Sequence, residues 1–147
     1  MSEDRIERDT LIAASQERVW SLVTQPGWWV ADKASLEGTT AIEGDSMLAR
    51  NSEYGDFPVR VVKVEPQSYV AYRWASGFPG QALRDDNSTL VEFTLSSEGD
   101  MTRLRVVESG FAALAATEDL RVKAFNDNNG GWPLELDALK VRAEKLS

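Results

Sequence analysis

Apolar residues alternate with polar ones through the middle of the chain and recur every three to four residues near its end, so the pattern passes from strand-like to helical. Ile6 to Ile12 predicts a short first strand with irregular alternation. Ser15 then stands where its hydroxyl can accept from the open N–H groups of a first helical turn. The helix it starts carries Val19, Trp20, Leu22 and Val23 on a broad apolar face and stops before Pro26. Gly27-Trp28-Trp29-Val30 reads as a helical turn or a loop. Adjacent tryptophans point different ways, so one is expected in the core and the other at a rim or cavity.

From Ala34 to Ser109 the pattern is strand-like, punctuated by Gly38, Gly44, Gly55, Pro66, Pro79-Gly80 and Gly99. Val59, Val61, Val62 and Val64 mark one strand, closed by Glu65-Pro66. Val70, Tyr72 and Trp74 alternate in the next, then Thr89, Val91, Phe93 and Leu95, then Thr102, Leu104, Val106 and Glu108. Tight turns between such strands build an antiparallel meander with one buried face. Ser97-Glu98-Gly99-Asp100 is the clearest hairpin turn, and the stretch from Ser76 to Asn87 is a loop near the mouth. From about Glu118 to Leu146 the period becomes helical, with Phe125, Asn129, Trp132, Leu136, Leu139, Ala143 and Leu146 on one stripe. Pro133 removes a donor inside that run, which predicts a kink or break.

Composition narrows the chemistry. A chain of 147 residues suits one domain, here residues 1–147. With no cysteine and no histidine, disulfides, thiolate metal sites and imidazole-based nucleophile pairs are removed together, so no metal or cofactor is expected. A net charge of −8 without a basic run argues against nucleic acid as a partner. The charged start of the chain does not read as a signal peptide, and the longest apolar run, Phe111 to Ala116, is too short to span a membrane. The expected location is the cytoplasm.

Ala14-Ser15-Gln16-Glu17-Arg18-Val19-Trp20, Val64-Glu65-Pro66, Tyr72-Arg73-Trp74, Ser88-Thr89-Leu90-Val91, Glu108-Ser109-Gly110-Phe111 and Asn128-Asn129-Gly130-Gly131-Trp132 occur in that order. In order and spacing they resemble the bacterial homologues of the activator of the ninety-kilodalton heat-shock protein ATPase, within the START-like, or SRPBCC, superfamily. The resemblance runs from Ile6 to about Lys145. It implies an α+β helix-grip fold, a curved antiparallel sheet around a long C-terminal helix, with a cavity between them that holds apolar molecules in relatives. A fold of this kind implies a pocket and not a reaction.

The expected function is therefore non-catalytic binding of a small, mostly apolar ligand. Trp29, Tyr72, Trp74, Phe93, Phe125 and Trp132 are the expected wall, with Glu108 and Asn129 supplying polarity. Each aromatic has an alternative as plain core. Glu108 has two alternatives to a ligand role, an ion pair with Arg73 or Arg105 and fraying into solvent. Two rival functions stay open. One is a cyclase or dehydratase acting on a ketide-like substrate, with Glu108 as acid/base and Tyr72 as oxyanion donor. The other is a chaperone-interacting module, and a homodimer partner is also open.

Overall fold

The computed structural model describes residues 5–76 and 81–145. The Pro79-Gly80 break and Leu146 at the end of the helical stripe lie outside the described residues. The elements are β1 (Arg5–Ile12), α1 (Gln16–Val23), α2 (Lys33–Leu36), β2 (Ser46–Asn51), β3 (Gly55–Glu65), β4 (Tyr69–Trp74), β5 (Thr89–Glu98), β6 (Met101–Ser109), a single 3-10 turn (Phe111–Ala113) and α3 (Glu118–Lys145). The strands form one six-stranded antiparallel sheet in the order β1-β6-β5-β4-β3-β2. With α3 across its buried face, this is the helix-grip architecture.

Local chemistry accounts for the boundaries. Ser15 caps α1 by accepting from the Arg18 N–H at 3.1 Å. Gly99 takes φ +66° at the β5–β6 hairpin, where a side chain would be strained. In β3 the pairing shifts between Val61 and Lys63. This bulge leaves Val62 exposed and resets the alternation, so that Val64 packs on the core while Lys63 stays in solvent. Strict alternation from Val59 would have buried the lysine.

Two expectations need correction. The segment from Ala34 does not begin as strand. Ala34, Ser35 and Leu36 belong to the short helix α2, too brief to show a helical period, and β2 starts only at Ser46. Trp28 and Trp29 are both buried, at 4% and 5% exposure, and of the two it is Trp29 that also lines a cavity. Pro133 does not break α3, which runs unbroken for 28 residues. The lost hydrogen bond costs about 3 kcal/mol. Trp132, Leu136, Leu139 and Ala143 are buried around it, and each large side chain returns about 1.5–3 kcal/mol.

Candidate functional site

Alternation along β6 turns Thr102, Leu104, Val106 and Glu108 inward, and all four are buried. Glu108, the last of them, has no exposed surface. Its carboxylate accepts from the Trp74 indole N–H at 2.8 Å, the Thr89 hydroxyl at 2.6 Å, the Trp132 indole N–H at 2.8 Å and the Asn128 amide at 3.1 Å. Those donors come from β4, β5 and α3, so one side chain ties three strands to the gripping helix. Burial pushes the Glu108 carboxyl above its ordinary value, and the four hydrogen bonds oppose that rise without cancelling it. Neither candidate arginine reaches it. Arg105 pairs with Glu7 at 2.9 Å, and Arg73 donates to Ser88 Oγ at 3.1 Å. Their odd-numbered places in β6 and β4 put both on the opposite face.

Around this carboxylate the interior of the grip is filled with rings. Trp28 lies 5.3 Å from Phe93, Trp29 lies 5.2 Å from Tyr72, and Phe93 lies 5.8 Å from Trp132, all tilted or edge-on. The Tyr72 hydroxyl donates to the Val23 carbonyl at 2.6 Å, satisfying an acceptor left open at the end of α1. Burial raises the Tyr72 pKa, so the phenol keeps its proton.

The open volume sits beside this cluster, a cavity of about 590 Å³. The turn after α1 lines it with Trp29, Val30 and Ala31, the β2–β3 hairpin with Asn51 and Tyr54, and β4 with Trp74. From α3 come Asp127, Asn128, Gly131, Trp132 and Glu135. Asn51 holds the turn in place by donating to the Val30 carbonyl at 2.7 Å, and Asp32 N–H donates to the Arg50 carbonyl at 2.8 Å. A smaller hollow of about 290 Å³ adjoins it, sharing Val30, Trp74, Asp127 and Asn128. The buried indole N–H of Trp29 has no hydrogen-bond partner among the described residues.

The sequence-derived site residues separate into groups. Trp29, Trp74 and Trp132 line the cavity. Tyr72 and Phe93 are fully buried in the ring cluster, away from its wall. Glu108 lies behind the wall and bonds three of the residues that form it, Trp74, Asn128 and Trp132. Phe125 packs edge-on against Phe111 at 5.2 Å. Asn129 turns toward β1, where it accepts from Arg8, and its neighbour Asn128 is the amide that meets Glu108. Asn128 stands four residues before Trp132, a spacing that shares a helix face and would have singled it out. Gly131 and Glu135 carried no apolar signal and were not legible. Among the described residues no group of three or more carboxylates could hold a metal ion, and no helix is long and apolar enough to cross a membrane.

Sheet, gripping helix and side cavity define a START-like helix-grip protein. The model of one family, Activator of Hsp90 ATPase homolog 1-like protein, matches residues 13–144, and the chain belongs to that family. Similar solved structures include protein MLL2253 from Mesorhizobium loti, at 22% identity and a TM-score of 0.69 over 92% of this chain and 93% of that one. The solution structure of the Aha1 dimer from Colwellia psychrerythraea aligns at 21% identity and TM-score 0.67, over 97% of both chains. CalU16 from Micromonospora echinospora aligns at 21% and 0.63, over 95% of this chain and 75% of that one. These similarities speak for the fold. No curated protein matches the sequence.

Proposed function

We propose that the protein binds a small, mostly apolar molecule in the cavity beside the ring cluster and does not transform it. The observation that carries this reading is the wall itself: three indoles, from the turn after α1, from β4 and from α3, converge with two amides on one volume. Its size falls within the roughly 300–1,000 Å³ usual for small-molecule sites. Glu108 acts in this reading as a positioning residue, holding Trp74, Asn128 and Trp132 in place. The cyclase-type alternative asks Glu108 to exchange a proton with substrate and Tyr72 to donate to it. Four donors already occupy the first, and the second is committed to Val23.

Gly131 provides the test. Gly131 lines the cavity, and a Cβ built there meets nothing within 4 Å, so a side chain can start from this position without a clash. Replacing a mid-helix glycine also favours the helix by up to about 1 kcal/mol. Titration with the neutral fluorophore N-phenyl-1-naphthylamine should show saturable binding to the wild type. Gly131→Leu should remove it at undiminished stability to urea. No saturable binding, or binding indifferent to the leucine, would overturn the reading. A chaperone or a second copy of the chain is a separate matter of surface, and sedimentation of the protein alone and with the chaperone tests it.

A further inference from the structure

The charges on the cavity wall are all of one sign. Asp127, Gly131 and Glu135 follow one another at steps of four along α3, so they share a face, and all three line the cavity. No lysine or arginine is among the lining residues. Lys123 ion-pairs with Asp127 at 2.7 Å and belongs to the adjoining hollow. Glu135 has no ion pair among the described residues, and it is only half in solvent. Burial alone raises its carboxyl above the ordinary value, the mark of a charge partly stripped of water and given no counter-ion in return. Gly131 keeps the space between the two carboxylates open. Trp29, Trp74 and Trp132 stand on the same cavity, with Trp29 5.5 Å from Trp74 and 5.9 Å from Trp132. Indole faces carry negative potential and attract cations most strongly where water is excluded.

We propose that the cavity selects an organic cation, an ammonium-bearing apolar molecule whose body lies on the tryptophans and whose nitrogen sits over Gly131 between Asp127 and Glu135. The inference rests on the cavity being a binding site, as argued above. Glu135 is the counter-charge that decides the preference, because Asp127 is already shared with Lys123. A carboxylate of the same shape would meet like charges on α3 and a protein of net charge −8, and should bind worst.

Three naphthalenes of matched size separate the possibilities: 1-naphthylmethylammonium, 1-naphthalenemethanol and 1-naphthoate, each titrated calorimetrically at low ionic strength. The ammonium should bind roughly tenfold tighter than the alcohol, the scale of one charge-assisted hydrogen bond to Glu135. In Glu135→Gln the ratio of the two affinities should fall close to one, with the variant's urea unfolding checked beside the wild type. Alcohol binding with no preference for the ammonium overturns this inference and leaves the binding reading intact. A preference that survives Glu135→Gln and Asp127→Asn combined also overturns it. Failure of all three compounds to bind overturns both.

Discussion

Replacing Gly27 by alanine tests how the cavity's indole-bearing turn is held. Gly27 adopts φ +77°, and a Cβ added there would lie 2.6 Å from the Ala49 Cβ in β2. Two costs follow. A side chain in the left-handed region costs about 1–2 kcal/mol. Forcing two methyl groups into that contact costs about 1–3 kcal/mol more, so Gly27→Ala should destabilise by about 2–5 kcal/mol. Only the second cost depends on Ala49. Ala49→Gly alone loses a buried methyl and adds strand entropy, about 1–2 kcal/mol in sum. In the double variant the clash is gone and the backbone strain remains. The double variant should therefore be more stable than the sum of the single changes by about 1–3 kcal/mol. Urea unfolding followed by tryptophan fluorescence measures all four proteins, and the same samples report affinity for N-phenyl-1-naphthylamine, which should weaken as Trp29 shifts. Additivity within about 0.5 kcal/mol would refute the close approach of the turn to β2 as the reason for glycine.

Glu108 gives a prediction with a definite sign. Its folded pKa lies above its ordinary value of 4.5, so the native protein keeps a proton that the unfolded chain has released. Its contribution is complete below the ordinary value and is lost as pH rises through the raised one. The stability of the wild type relative to Glu108→Gln should therefore narrow as pH rises above about 4.5, by up to about 1.4 kcal/mol per unit. Glu135 is common to both proteins and drops out of the comparison, and a gap that widens with pH would show the opposite shift. Tyr72→Phe removes the donor to the Val23 carbonyl and should cost about 1–3 kcal/mol in urea unfolding.

The strands from β3 to β6, the cap at Ser15 and the turn at Gly99 were legible in the sequence, because each rests on a short-range rule. A pleated strand alternates its side chains whatever it packs against, so the inward direction of Tyr72, Trp74, Phe93 and Glu108 followed from parity alone. Helical spacing likewise placed Trp132, Leu136 and Leu139 on one buried stripe of α3. What parity and spacing do not carry is which inward residue meets which. Asn128 and Asn129 sit side by side, and the placement of α3 on the sheet brings one to Glu108 and the other to Arg8. The continuity of α3 through Pro133 was decided in the same way, by burial of its flanking residues against the sheet.

Direction along one element was thus the sequence's own to determine, and it aimed Glu108 into the protein. The partners were settled only by tertiary structure, because they come from β4, β5 and α3, which are far apart in the chain. The cavity belongs wholly to that second kind. Its volume is what remains after the tryptophans have packed, and a remainder of packing leaves no periodic mark in a sequence.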